Sequence, residues 1–183
     1  MLKEGDKAPD FSLDSDSGKK VSLKDFAGKT LVLYFYPKDD TPGCTREAQA
    51  FEAAKAKFAK AGAAVVGVSR DSVASHCKFR DKYGLSFPLL ADPDRKVHEA
   101  YGAWGEKVMY GKKVLGAIRS TFVIQGGKIV KAFPTVKVDG HSDAVLAVIA
   151  GGAATAPAKK KAAAPAKKKA APAAKKKAAT KKR

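Results

Sequence analysis

Cysteine is scarce in this chain: 183 residues contain only Cys44 and Cys77. That excludes a dense disulfide framework, so stability must come from a packed core, which a chain of this length can bury. No apolar run approaches the roughly 18 to 20 residues that cross a bilayer, so no membrane helix is expected. The start, Met1-Leu2-Lys3-Glu4-Gly5-Asp6, lacks an apolar stretch and carries acids, so no secretory signal is expected. The expected setting is reducing and cytoplasmic, where a disulfide would be transient and catalytic rather than structural. Several chemical signatures are also missing. There is no CxxC, no Walker loop, no dinucleotide fingerprint and no haem motif. His76, His98 and His141 stand at no metal-ligand spacing with either cysteine. Neither a cofactor nor a metal is expected.

Acidic residues are missing from one region altogether. Lys159 to Arg183 holds 12 basic residues and no acid, leaving 24 basic against 18 acidic residues elsewhere. The net charge of +18 therefore belongs mainly to this tail. Lysine triplets recur at 159–161, 167–169 and 175–177, with Pro157, Pro165 and Pro172 interrupting. Alanine, proline and lysine cannot build a core, so 151–183 is expected to be a disordered tail behind a domain spanning 1–150. Twelve charges on a flexible chain can bind a polyanion by counterion release without sequence preference. Two readings of the tail stand open: DNA binding, which would carry the protein to the nucleoid, and a solubilising extension. In composition the tail resembles those of linker histones.

The first 150 residues alternate strand and helix signals. Residues 7–22 read as a hairpin-like entry, followed by a capped turn at Ser22–Phe26. Leu31 to Tyr36 is apolar on both faces, as a central strand should be. A helix is expected from about Cys44 to Ala61, with Phe51, Ala54 and Phe58 inward. Ala63–Val68 reads as a second buried strand. A helix from about Val73 to Tyr83 follows, capped by Asp71 or Ser72 and stopped by Gly84. Phe87–Leu90 is extended, and a helical stretch starts at Pro93. Residues 101–116 are expected to be a loop. Ile118–Ile124 and Lys128–Phe133 form a hairpin through Gln125-Gly126-Gly127, and Gly140–Ala150 is the last helix. A βαβ unit followed by an antiparallel ββα unit gives an α/β, thioredoxin-like fold with a mixed sheet between helices.

Cys44 sits where the buried strand ends, a turn intervenes and a helix begins. The first turn of a helix offers unpaired N–H groups and the positive end of the macrodipole, both of which favour a thiolate. Thr41 lies in the turn, so its hydroxyl is a candidate neighbour of the sulfur. Pro37 ends the strand, and Pro42-Gly43 shape the entry to the helix.

Pro37-x-x-x-Thr41-x-x-Cys44 resembles the active-site motif of the peroxiredoxins. The longer string Phe35-Tyr36-Pro37-Lys38-Asp39-Asp40-Thr41-Pro42-Gly43-Cys44-Thr45-x-Glu47 is similar to the peroxiredoxin Q branch, the bacterioferritin comigratory proteins. Supporting blocks are Lys7-Ala8-Pro9-Asp10-Phe11, Gly67-Val68-Ser69-x-Asp71-Ser72, Phe87-Pro88-Leu89-Leu90-x-Asp92 and Arg119–Ile124. The resemblance implies a thiol peroxidase in which Cys44 attacks a hydroperoxide and becomes a sulfenic acid. It implies that Arg119 holds the peroxide and lowers the sulfur's pKa, that Thr41 donates to the peroxide, and that Glu47 orients an arginine. Many members of the branch carry a resolving cysteine five residues after the first. That position is Gln49 here, so the resemblance passes the role to Cys77 on the next helix, as an intramolecular disulfide partner. It further implies a thioredoxin or glutaredoxin reductant, and a monomer is expected. A nucleic-acid-binding protein acting through its tail, and a thiol chaperone, are the alternatives. Trp104 and Tyr110 are candidate walls of the substrate site.

Overall fold

The computed structural model describes residues 1–109 and 111–151. Tyr110 and the tail beyond Gly151 lie outside the described residues, and so does the expectation of disorder there.

The run Leu31–Tyr36 has no polar face, and the fold buries both sides of it. Val32, Tyr34 and Tyr36 join one core, while Leu31, Leu33 and Phe35 join the other. This strand, β3 (Thr30–Phe35), lies deep in a sheet built with β1 (Ser12–Ser15), β2 (Lys20–Ser22), β4 (Ala63–Ser69), β5 (Leu89–Ala91), β8 (Ser120–Gln125) and β9 (Lys128–Phe133). The order is β2-β1-β5-β4-β3-β8-β9. β3 pairs parallel with β4, and β4 with β5, while β3–β8, β8–β9, β1–β2 and β1–β5 are antiparallel. α1 (Pro42–Lys60), α2 (Val73–Tyr83) and α4 (His141–Gly151) send Phe51, Phe58, Phe79 and Val145 into the first core. α3 (Lys96–Tyr101) and the N-terminal segment cover the opposite face through Val97, Tyr101, Ala8 and Phe11. The thioredoxin-like arrangement read from the sequence is the one observed.

Residues 101–116 differ from the expectation of a loop. Trp104–Met109 and Lys112–Ala117 pair as an antiparallel two-stranded ribbon, β6–β7, from Trp104↔Ala117 to Met109↔Lys112. The ribbon stands apart from the main sheet, and Val108 and Leu115 are exposed on it. With its apolar residues largely at the surface, the alternation that marks a half-buried strand is missing. Two other boundaries move. α1 starts at Pro42 rather than Cys44, because proline's fixed φ and missing N–H suit the first helical position. α3 starts at Lys96, three residues after Pro93. Ser72, not Asp71, caps α2, accepting from the Ser75 N–H at 3.3 Å, and Gly84 closes it at φ 65°.

The topology places the site. β3 and β4 run in parallel, so their C-terminal ends share one edge of the sheet. β8 runs against β3 with Phe35 opposite Ser120, so Arg119 arrives where β3 ends. At Gly67 the β3–β4 contact is too close for any side chain. A Cβ there would stand 2.8 Å from the Tyr34 hydroxyl and 2.9 Å from Leu89 Cδ2.

Candidate active site

Cys44 is the third residue of α1, after Thr41 in the capping position and Pro42-Gly43. The Thr45 N–H is bonded back to the Thr41 carbonyl at 2.8 Å. The N–H groups of Gly43 and Cys44 precede it, in the turn whose amides lack an intrahelical acceptor. The side chain is 2% exposed and faces the core together with Glu47, Ala48 and Phe51, at helical spacings of three, four and seven.

Arg119 ties this turn together. Its Nη2 donates to Cys44 Sγ at 3.2 Å, and its Nη1 forms a short ion pair with Glu47 Oε2. The guanidinium passes over Gly43, where a Cβ would lie 3.4 Å from Nη2. Chain separation of 75 residues is bridged by the sheet, since β8 delivers Arg119 to the end of β3.

The electrostatics of the pair pull in two directions. Burial pushes the Glu47 carboxyl up to about 7, although Arg119 opposes that shift. Burial also acts against the charged Arg119 guanidinium, but Glu47 and Cys44 together hold its pKa above the ordinary arginine value. The firm conclusion is that Arg119 stays cationic, because two acceptors share one guanidinium. His141, whose Nε2 lies 2.8 Å from Thr121 Oγ1, is held down at about 4 by burial and then by Arg119. The cation therefore sits among buried side chains, with the Cys44 sulfur and the Glu47 carboxyl as its two acceptors.

The expected site residues divide into two groups. Cys44, Arg119 and Glu47 come together. Pro37 is half-buried at the end of β3. The Thr41 hydroxyl is in the turn but donates to the Lys38 carbonyl at 3.1 Å. Cys77 is elsewhere. Both cysteines are free, and Cys77 Sγ donates to the Asp16 carbonyl at 2.9 Å. Trp104 is half-buried on β6, with the Arg70 and Arg95 guanidiniums 5.0 and 5.1 Å from its ring centre. Tyr110, the other candidate wall, lies outside the described residues. No cluster of metal-ligating side chains occurs among the described residues, and none of their helices is long and apolar enough to cross a membrane.

Lys107 was not legible as a site residue. Its Nζ donates to the Ala117 carbonyl at 2.8 Å, and its pKa is lowered by burial and then by Arg119. The ribbon thus brings a second cation towards the site. The only signal in the sequence was one lysine among several in a glycine-rich stretch.

The chain matches the AhpC/TSA family over residues 4–133. It is 50% identical over 141 residues to a putative peroxiredoxin Bcp of Coxiella burnetii, covering 76% of this chain and 93% of that protein. With peroxiredoxin Bcp of Escherichia coli it shares 43% over 146 residues, or 79% of this chain and 94% of that one. Among solved structures, peroxiredoxin Q of Xanthomonas campestris superimposes with a TM-score of 0.73 at 49% identity, covering 77% of this chain and 90% of the other. A structure of the bacterioferritin comigratory protein of the same organism, described as a trapped intermediate/ligand complex bearing on alkyl peroxide reduction, gives 0.74 at 48% identity. It covers 78% of this chain and 91% of that one.

Proposed function

The chain belongs to the AhpC/TSA family, on the peroxiredoxin Bcp and Q branch, and is a thiol peroxidase; we propose that Cys44 is its peroxidatic residue and Cys77 the resolving one. The observation that carries the first half is the Arg119 guanidinium, shared between Cys44 Sγ and Glu47 beside the open end of α1.

The Cys44 thiolate attacks the terminal oxygen of a hydroperoxide. An S–O bond forms, the O–O bond breaks, and negative charge passes from sulfur to the departing oxygen. Arg119 stabilises that charge at both ends of the transfer, and the amides of the first turn point into the same space. The leaving oxygen takes a proton and departs as water or an alcohol. Thr41, released from the Lys38 carbonyl, supplies a hydroxyl to the peroxide, while Pro37 narrows access to the sulfur. Glu47 holds the guanidinium in place from the second position on the same helix face.

The Cys77 thiol then attacks the sulfenic sulfur, forming the disulfide and releasing water. A thioredoxin- or glutaredoxin-type dithiol reduces that disulfide and takes up the oxidation. The protein works as a cytoplasmic monomer, with residues 1–150 as the peroxidase domain.

The test is consumption of hydrogen peroxide and of an alkyl hydroperoxide, coupled to a thioredoxin system. Cys44→Ser is expected to fall to the uncatalysed rate, and unchanged turnover in that variant would overturn the reading. For Cys77, full turnover of Cys77→Ser with a dithiol reductant would remove the resolving role. A second function rests on a separate observation, the 12 basic residues without an acid from Lys159 to Arg183. The tail holds the enzyme on nucleic acid without sequence preference. Equal retardation of DNA by the full chain and a 1–152 truncation at physiological salt would end that idea.

A further inference from the structure

The motif between Pro37 and Thr41 leaves three positions open, and two of them carry aspartates that the chemistry at Cys44 does not use. Both aspartates reach across to α2, the helix that carries Cys77.

Asp39 is 6% exposed, and its carboxylate is fully occupied. Oδ1 accepts from the Tyr36 hydroxyl at 2.7 Å; Oδ2 accepts from Ser75 Oγ at 2.7 Å and from His76 Nδ1 at 2.8 Å. An ionised carboxylate only accepts, so His76 Nδ1 carries the proton in this bond. The Asp39 N–H donates to Asp71 Oδ2 at 2.8 Å, and Asp71 is braced by the Ser69 hydroxyl at 2.7 Å. His76 is 0% exposed.

Asp40 makes the second attachment, further along the same helix. It sits at φ 53°, in the left-handed region that aspartate adopts more readily than most non-glycine residues. Its carboxylate accepts from Lys82 Nζ at 2.7 and 2.9 Å and from the Tyr83 hydroxyl. Lys82, and after it Tyr83, hold this carboxyl below its ordinary pKa.

The helix periodicity makes the arrangement pointed. Ser75, His76, Lys82 and Tyr83 lie along one stripe of α2, toward the Cys44 turn. Cys77 and Arg80 lie on another flank, where Cys77 Sγ meets the Asp16 carbonyl and Arg80 meets the Asp16 carboxylate at 2.7 Å. The clamp therefore presents α2 to the Cys44 turn with Cys77 facing elsewhere.

The geometry points to Asp39 and Asp40 as positioning residues that fasten the Cys44 turn to α2 at two places and so set the rate at which Cys77 reaches the Cys44 sulfenic acid. The inference rests on the reading of Cys77 as the resolving thiol. In the step it controls, the Cys77 S–H and the Cys44 S–OH give one S–S bond and water. While the clamp holds, the oxidised sulfur waits in the turn, exposed to a second peroxide and to conversion into sulfinic acid. When it opens, α2 is free to turn or fray and the disulfide closes. The bonds that hold the turn against α2 therefore delay its resolution.

The experiment uses the full chain reduced and mixed with one equivalent of hydrogen peroxide, quenched in acid at successive times. Mass spectrometry then counts sulfenic acid, disulfide and sulfinic acid. The clamp is loosened from the α2 side with Ser75→Ala/Lys82→Ala/Tyr83→Phe, which leaves every residue of the Cys44 turn in place. Asp39→Asn is the second variant, removing the buried charge at constant shape. The conversion of sulfenic acid to disulfide is expected to speed up by on the order of tenfold, the weight of one charge-assisted hydrogen bond. Peroxide attack should change by less than about threefold, since Cys44 and Arg119 are untouched. With excess peroxide the sulfinic fraction should fall in proportion. Unchanged or slower resolution in both variants would overturn the clamp. Slower attack with unchanged resolution would do so too, because the bonds would then serve only to order the turn. Cys77→Ser, run beside them, separates the two ideas. If the Cys44 sulfenic acid disappears in that variant as fast as in the parent, it is the assignment of Cys77 that fails rather than the clamp.

Discussion

The two cysteines are carried by neighbouring helices of one sheet face, yet they meet opposite partners. Cys44 is buried and its sulfur accepts from a guanidinium. Cys77 is half-buried and its sulfur donates to a carbonyl. A sulfur beside a guanidinium is favoured as an anion, whereas one that donates to a carbonyl must keep its proton. Cations are near both. Arg119 points at Cys44, while Arg80 is turned to the carboxylates of Asp16 and Asp81. The difference teaches that charge near a thiol is not enough, because the donor has to be aimed at the sulfur. Two cysteines can thus share a chain without sharing surroundings.

The strongest break of this contrast is Arg119→Met. It removes the guanidinium that donates to Cys44 and leaves Glu47 buried without its partner. The second-order rate with hydrogen peroxide should drop by about 100- to 1000-fold, as measured for single donors in other oxyanion sites. Stopped-flow kinetics of the reduced protein would read it, and a loss below about tenfold would mean the helix end alone activates the sulfur.

Glu47→Gln is next. The folded Glu47 titrates at about 7 against an ordinary 4.5. A raised carboxyl pKa stabilises the fold fully below the ordinary value, and this is lost as pH rises through about 7. The parent should lose stability on the order of 3 kcal/mol relative to Glu47→Gln between pH 4.5 and 8. His141 has the opposite sign. Its pKa lies near 4, so its contribution is present above the ordinary 6.5 and is lost as pH falls towards 4. Both proteins carry His141, so denaturant midpoints taken as a difference cancel it. A flat difference would place the Glu47 proton elsewhere.

Arg80→Met sharpens the comparison from the other side. It removes the cation that shares the Asp16 carbonyl with Cys77 but touches no group at Cys44, so peroxide attack should stay within about twofold. A larger loss would mean that Arg80 acts at a distance on the first cysteine.

Much of this fold was legible because its signals are local. Leu31–Tyr36 advertises a strand covered on both faces, and Phe51, Ala54 and Phe58 mark the buried stripe of α1. Gly84 ends α2 as its residue type predicts. The β6–β7 ribbon was not legible, since Gly105, Gly111 and Gly116 interrupt it and Val108 and Leu115 face solvent. Within the site, Cys44 and Glu47 share a helix face that spacing alone reveals. Arg119 is joined to them only by the β3–β8 pairing, so a family resemblance, not periodicity, singled it out. The bond between Asp39 and His76 crosses 37 residues and leaves no trace in either segment. Long-range polar pairs of this kind are set by topology, and a single sequence encodes them without displaying them.

In the proposed cycle one sulfur reacts with peroxide and the other closes the loop. Its most direct measurement is the mass of each full-length protein after one equivalent of hydrogen peroxide, taken without reductant. The parent is expected to lose two hydrogens as an intramolecular disulfide, Cys77→Ser to gain oxygen at residue 44, and Cys44→Ser to remain unchanged. Oxygen appearing on Cys77 in the Cys44→Ser protein, or a parent that gains oxygen and forms no disulfide, would contradict it.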